Sequence, residues 1–424
     1  MAQLTDDCFA FSGPLLPVDE MERIIAARVA AVAEIEEVAL TAALGRIVAA
    51  DVIAGVDLPP FDNSAVDGFA VRHGDLASAG ESTLAVVDRV AAGQAADRTV
   101  AAGEAVRIFT GAPMPPGADT VFMQEDCRTG GASVILPPGL ARGANRRLAG
   151  EDIRAGVVAI PAGRRLRPQD VALAAAIGLT ALPVRRRLRV ALFSTGDEVI
   201  EPGSAPRSAA IYDATRYLLA GLLQHFGAEV SDLGILRDAP DLLVQALSAA
   251  VAGHDLILTS GGVSTGEADH VRSAVERIGS LVFWRVAIKP GRPVAMGVIP
   301  APTGASSAAF VGLPGNPAAA FITFVRVVRP LLLRLAGATA RPLVPLPVRS
   351  AFAYRKKTGR REYVRVALRT AADGALEAVK HPQEGAGIIT SLTETDGLVE
   401  LPESVTTVAA GSPVGFVSYA AMME

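Results

Sequence analysis

The chain has 424 residues, too many for one hydrophobic core, so roughly two to four domains are expected. Apolar residues make up 50% and aromatics only 5%, an Ala- and Val-rich balance that suits a large α/β protein better than an aromatic-rich sandwich. The formal net charge of -4 excludes a general nucleic-acid binder, so any bound anion must be met by a local basic site.

Met1 to Gly13 carries Asp6 and Asp7 and no apolar core, so it does not read as a signal peptide. Pro17 to Val32 reads as a first helix, with Val18, Met21, Ile24, Ile25 and Arg28 at helical spacing and acids in its first turn. After Asp51 the texture changes to short Val-rich runs cut by Gly and Pro, such as Thr83–Val90 and Ala105–Phe109. Gly150 to Leu182 resumes helical Ala/Leu patterning. This order predicts a discontinuous helical domain (residues 14–52 and 148–186) interrupted by an inserted β-rich domain (residues 53–147).

From residue 187 to 337 buried strands alternate with amphipathic helices. Strands are predicted at Leu188–Ser194, Ala228–Leu236, Asp255–Ser260, Leu281–Ile288 and Ala309–Leu313, and helices at Asp213–Phe226, Ala239–Val251, Ala268–Ile278 and Asn316–Leu335. Unbroken apolar strands separated by helices predict a doubly wound parallel sheet covered on both faces. Past the proline-rich stretch Gly337 to Pro347, residues 338–424 read as a C-terminal β domain with strands near Glu362–Leu368, Ala375–Val379 and Gly397–Leu401. The longest apolar run, Val171 to Val184, contains Pro183 and is too short to span a bilayer, so no membrane is expected as a partner. Cys8 and Cys127 form no C-x-x-C pair, and His73, His225, His254, His270 and His381 lack zinc spacing, which points to a reducing cytoplasm.

In an open parallel sheet ligands bind beyond the carboxyl ends of the strands, and four unusual loops fall at that edge. Ser194-Thr195-Gly196-Asp197-Glu198 follows a strand, as an acidic β–α turn or as part of a site. Ser260-Gly261-Gly262-Val263-Ser264-Thr265-Gly266-Glu267-Ala268-Asp269 has three glycines and two hydroxyls ahead of a helix. Its backbone N–H groups can converge on an anion with the helix dipole behind them, although it lacks Walker A spacing. Lys289-Pro290-Gly291-Arg292-Pro293 holds two cations on a stiff arc, or is a solvated basic turn. Gly312-Leu313-Pro314-Gly315-Asn316-Pro317 closes a strand and opens a helix, with Asn316 as N-cap and Pro317 in the first helical position. Basic groups and amide nests suit phosphate or another oxyanion, whereas Glu198, Asp238 and Asp269 suit Mg²⁺. A phosphate ester or anhydride with Mg²⁺ satisfies both demands.

Two further strings lie outside this domain: PPFDNSAVDGFAV, dense in turn formers, and RIFTGAP, a strand ending in a glycine turn. The first resembles the signature of the molybdopterin molybdenumtransferases of the MoeA type, a family that includes the E-domain of gephyrin. The resemblance continues in order through RIFTGAPMPPGADTVFMQED, GEDIRAG, VALFSTGDEV, IYDATR, LRDAPD, TSGGVSTGEADHV, AIKPGRPVAMG and VGLPGNPAAA, nearly the whole chain.

That resemblance implies a four-domain homodimer whose doubly wound domain is similar to the molybdopterin adenylyltransferase acting one step earlier, a natural upstream partner. It implies a reaction in which adenylylated molybdopterin and molybdate, with Mg²⁺, give molybdenum cofactor and AMP. Carried over, the functional residues are Asp67, Thr110, Asp152, Glu198, Asp238, Asp269, Lys289, Arg292, Pro314, Pro317 and Arg365, with Ser260, Gly261, Gly262 and Ser264 from the glycine loop. Asp67 and Thr110 would come from the second subunit, so each site would straddle the dimer. Three positions depart from the family pattern. Arg285 and Arg292 stand where relatives often have Lys, and Ala386 stands where many place Ser. Adenylyl transfer and a gephyrin-like scaffold are the rival readings; the first favours an S-G-G-T-G loop absent here, and the second a clustering domain of which the chain shows no trace.

Overall fold

The computed structural model describes residues 15–262, 270–291, 293–301, 307–339 and 341–424. Helix α1, Val18–Arg28, buries Val18, Met21, Ile24 and Ile25 along one face, and the chain turns extended at Val29. That face packs with Leu219, Leu223, Leu331 and Leu335. The helix therefore belongs to the α/β core and not to the discontinuous domain in which its sequence position groups it.

The discontinuous domain itself is more strand than helix. Ile35–Ala39, Ile47–Val48 and Ala181–Arg185 make a three-stranded antiparallel sheet. Its core of Val48, Leu166, Leu182 and Val184 is completed by Ala174 of helix α2, Pro168–Ala176. The expectation of helical structure across residues 150–182 is corrected for a local reason. Gly150, Gly156 and Gly163 all take positive φ and break the run into turns before α2 begins. In the inserted domain, six strands run in the order Thr120–Met123, Gly68–Val71, Glu104–Ile108, Ser82–Val90, Ser133–Leu136 and Arg128–Gly130. Alternation puts Phe69 and Val71 in one core and Ala70 in the other.

The α/β domain contains β1 (Arg189–Thr195), α3 (Thr215–His225), β2 (Glu229–Leu236), α4 (Pro240–Val251), β3 (Leu256–Ser260), α5 (His270–Ile278), β4 (Ser280–Arg285), β5 (Pro293–Pro300) and β6 (Ser307–Leu313). It closes with α6 (Pro317–Thr323), a π turn at Phe324–Val328 and α7 (Arg329–Leu335). The sheet order is β2-β1-β3-β6-β5-β4, with the first four strands parallel. Strand β5 runs antiparallel to both of its neighbours, β6 and β4, a correction to the all-parallel expectation. The connection from Arg285 to Pro293 is too short for a crossover helix, so the chain must return as a hairpin. Helices α1, α3, α6 and α7 cover one face and α4 and α5 the other.

The C-terminal domain has β7 (Leu346–Ser350), β8 (Arg361–Thr370), β9 (Leu376–Lys380), β10 (Gly397–Leu401) and β11 (Pro413–Ser418). Their order β8-β9-β7-β11-β10 closes back onto β8, making a small barrel without free edges around Val366, Ala378, Val399 and Phe416. Ile288 and Lys289 pair in parallel with Arg361 and Glu362 of β8, and Arg361 N–H donates to Ala287 O at 2.7 Å. This backbone seam brings the barrel to the carboxyl edge of the α/β sheet. Among the described residues no helix is long and apolar enough to cross a membrane.

Candidate functional site

At the carboxyl edge of β1, β3 and β6 the loops interlock through their backbones. Gly261 N–H donates to Leu313 O at 2.9 Å, joining the glycine loop to the loop that carries Pro314. Gly261 has φ +90°, and a Cβ there would sit 2.7 Å from Thr195 O, so the first loop also closes on it. Gly262, at φ +66°, is equally confined by Val271 and Thr195. Ser260 is buried, and the neighbouring Ser194, Thr195 and Thr259 hydroxyls have no hydrogen-bond partner among the described residues. Ser264 and Asp269 lie outside the described residues, as does Arg292 of the basic loop.

Pro317 occupies the first turn of α6, but the Asn316 side chain makes no cap. Instead Ala386 O, from the barrel, accepts from Ala318 N–H at 3.0 Å. A second chain segment thus satisfies the helix end that Asn316 was expected to satisfy.

The acids divide into two groups. Glu198 is exposed beyond β1, and Asp238 follows β2. Burial pushes the Asp238 carboxyl above the usual range, His270 opposes this, and Asp197 and Glu198 push it further up. One Asp238 oxygen is buried without a hydrogen-bond partner among the described residues. Glu198 and Asp238 therefore share a field that a cation would relieve. No group of three metal-ligating side chains assembles among the described residues.

Asp67 and Thr110 form the second group, in the inserted domain. Asp67 Oδ1 accepts from Thr110 N–H and from its hydroxyl, both at 2.8 Å, and these bonds hold the carboxyl below its ordinary range. Gly68 beside it is required: a Cβ would fall 1.8 Å from Phe122 O. Asp152 is exposed, its N–H bonded to Leu58 O at 3.0 Å. None of these three is joined to the α/β edge by a hydrogen bond or ion pair among the described residues.

Lys289 and Arg365, by contrast, line one cleft of about 240 Å³ with Tyr354, Glu362, Lys380 and Ala386. Glu362, 1% exposed by side chain, accepts from Arg360 Nε at 2.7 Å, Tyr354 Oη at 3.0 Å and Lys289 Nζ at 3.3 Å. Burial favours its neutral form, but the Arg360 and Tyr354 hydrogen bonds and the Lys289 charge win and hold it below the usual range. Arg365 is 5% exposed. One of its terminal nitrogens donates to Gln383 O and Gly385 O at 3.4 and 3.3 Å, while Nε has no partner among the described residues. Arg285, the departure in β4, is exposed, and its carbonyl accepts from Leu16 N–H at 2.9 Å.

Sequence reasoning missed Tyr354, Glu362 and Lys380. Glu362 left a faint signal, an acid set between Arg361 and a mostly apolar strand, Tyr363 to Ala367, broken by Arg365. Tyr354 and Lys380 reach the cleft only because the barrel closes, and nothing local announces that.

Comparison with known proteins agrees with this layout. Residues 16–178 match the MoeA N-terminal region (domain I and II), 191–334 a probable molybdopterin binding domain, and 347–419 the MoeA C-terminal region (domain IV). A protein of Haemophilus influenzae named molybdopterin molybdenumtransferase is 36% identical over 88% of this chain and 91% of its own length. One of Nostoc with the same name is 36% identical over 89% and 87%. A crystal structure of the molybdopterin biosynthesis MoeA protein from Pyrococcus horikoshii superposes with a TM-score of 0.78 at 28% identity, covering 96% of this chain and 100% of that one.

Proposed function

We propose that this chain, which belongs to the MoeA family, inserts molybdenum from molybdate into adenylylated molybdopterin and releases AMP. The observation that carries the reading is Arg365. A buried guanidinium whose Nε has no partner among the described residues, lining a 240 Å³ cleft with Lys289, calls for an oxyanion. Molybdate, a tetrahedral dianion, supplies the missing acceptors. The Gly261 amide is spent on Leu313 O, so within this loop it is the Gly262 amide, at the α/β edge, that suits the phosphate of the adenylylated pterin.

Glu198 and Asp238 are the residues that fit Mg²⁺, since Asp238 holds a buried oxygen without a partner among the described residues, beside two further acids. Bound there, with Asp269 as a third acid, Mg²⁺ would neutralise charge on the phosphate. Asp67, Thr110 and Asp152 bond within their own part of the chain, which suits a homodimer that completes each site from the second copy. The substrate would arrive from a molybdopterin adenylyltransferase in the reducing cytoplasm.

The test is direct. Protein, adenylylated molybdopterin, molybdate and Mg²⁺ should release AMP in step with cofactor formation. Absence of AMP with intact substrates overturns the reading, and ATP-dependent formation of adenylylated molybdopterin would replace it with the earlier step.

Lys289→Ala should raise the molybdate concentration at half-maximal rate by about tenfold or more, the scale of a lost charged hydrogen bond. The melting temperature should stay within a few degrees, because Arg360 and Tyr354 still hold Glu362. A large stability loss with an unchanged molybdate response would make Lys289 a structural ion-pair partner.

Mixing inactive Asp67→Ala and inactive Asp238→Ala chains should restore part of the activity, since one mixed site carries neither lesion. Subunit exchange shown by a mass tag, without recovered activity, would mean that each site is built within one chain.

A further inference from the structure

The string Ile211-Tyr212-Asp213-Ala214-Thr215-Arg216 has no part in the chemistry above, yet it touches three elements of the site. Asp213, Thr215 and Arg216 are 4%, 4% and 3% exposed. Arg216 sits in the first turn of α3, where its N–H and Nε bond the two oxygens of Asp213 at 3.0 and 2.9 Å. Its terminal nitrogens reach in different directions. One meets Asp232 of β2, six residues before Asp238. The other lies 2.6 Å from Glu201, three residues after Glu198. The backbone repeats the second tie: Val199 and Ile200 pair with Ile211 and Tyr212, Ile211 N–H donates to Glu198 O at 2.8 Å, and Asp213 N–H to Ile200 O at 2.9 Å. Thr215 turns the other way, its hydroxyl donating to Gly315 O at 2.7 Å in the loop of Pro314 and Pro317.

We propose that Asp213, Thr215 and Arg216 are positioning residues, a hub at the start of α3 that fixes the two acidic arms and the proline loop relative to each other. Arg216 ties the Glu198 segment to the strand that delivers Asp238, and Thr215 sets the proline loop against them. The geometry suits the task. A guanidinium offers donors in a rigid planar fork, so two carboxylates from different elements are held at one fixed spacing, which a flexible lysine cannot reproduce. The Thr215 hydroxyl is spent on Gly315, and every nitrogen of the Arg216 guanidinium already meets a carboxylate, so they act through the loops they hold.

The proposal rests on the reading of Glu198 and Asp238 as the Mg²⁺ acids, and its test separates the two. Removing Arg216 outright would strand three carboxylates and could unfold the domain, so the informative variant is Glu201→Gln. It loosens one arm, at a side chain 44% exposed, and leaves Arg216 paired with Asp213 and Asp232. Hydrogen exchange across residues 197–212 should quicken in Glu201→Gln, and Mg²⁺ binding followed by calorimetry should weaken by about tenfold, the scale of a lost charge-assisted contact. The molybdate requirement should not move, because Lys289 and Arg365 lie in another cleft. Thr215→Val should instead raise the requirement for adenylylated molybdopterin with Mg²⁺ binding unchanged, and Thr215→Ser should restore it. Unchanged exchange and unchanged Mg²⁺ affinity in Glu201→Gln overturn the hub, as does a uniform loss of rate that Thr215→Ser fails to rescue. Quickened exchange in a protein whose wild type binds no Mg²⁺ would keep the mechanical tie and reject the metal assignment.

Discussion

Glu400→Ala is expected to cost about 3–5 kcal/mol of folding stability, the range for removing one partner of a buried ion pair. Glu400 stands on β10 where the barrel meets the α/β domain. It pairs with Arg326 of the π turn and, at 2.9 Å, with Arg361 of β8. These arginine side chains are only 9% and 13% exposed. Arg361 keeps Glu403 and Asp19, each at 3.1 Å, when Glu400 is gone. Among the described residues Arg326 then keeps Glu22 at 3.7 Å and the face of Tyr363. A nearly buried guanidinium is then left without its main partner, and it lies in the seam that holds the barrel on the sheet. The molybdate requirement should rise as well, because Arg365 reaches its cleft on that barrel. Glu400→Gln should cost less, since its amide oxygen still accepts from one arginine. A loss under about 1 kcal/mol, as for exposed pairs, would show that water enters this seam and screens it.

Much of the α/β layout was legible because its signals are local. The strands Arg189–Thr195 and Leu256–Ser260 are unbroken apolar runs, and α3 and α4 begin and end within two residues of their predicted bounds. The four loops could be placed at one edge because strand direction follows from alternation with helices. Strand β5 escaped because its sense depends on the length of the hairpin before it. The pairing of Lys289 with Glu362 escaped for a deeper reason: the partners are 73 residues apart, and only the closed barrel makes them neighbours. The same holds for Arg216, an ordinary helix arginine in sequence whose three carboxylates come from a turn, a loop and a strand. Asp67 shows the reverse. Its motif was plain in the sequence, whereas within one chain its carboxylate bonds Thr110 and its carbonyl accepts from Gln124, contacts that explain little of why so rigid a string is built there.

Asp238→Asn is expected to cut AMP release by about a hundredfold or more, the scale of a removed acid–base or metal-binding charge. Its effect on stability should have the opposite sign. Burial, with Asp197 and Glu198 adding to it, makes the folded protein hold a proton on Asp238 more tightly than the unfolded chain does. The favourable contribution of that proton is therefore present at low pH. It is lost as pH rises from the ordinary carboxylate range through the raised folded value, and near neutrality the ionised carboxylate strains the fold. Asparagine keeps the shape, removes the charge and offers N–H donors to the acids beside it. The variant should melt at the same temperature as the wild type or higher at pH 7, and the difference should shrink toward pH 4. This is the pattern expected where a site stores electrostatic strain for a ligand. Added Mg²⁺ should raise the wild-type melting temperature and that of Asp238→Asn much less, because the variant has lost one of the carboxylates proposed to hold it. A lower melting temperature with near-normal turnover at limiting Mg²⁺ would make Asp238 a structural acid and move the cation site elsewhere.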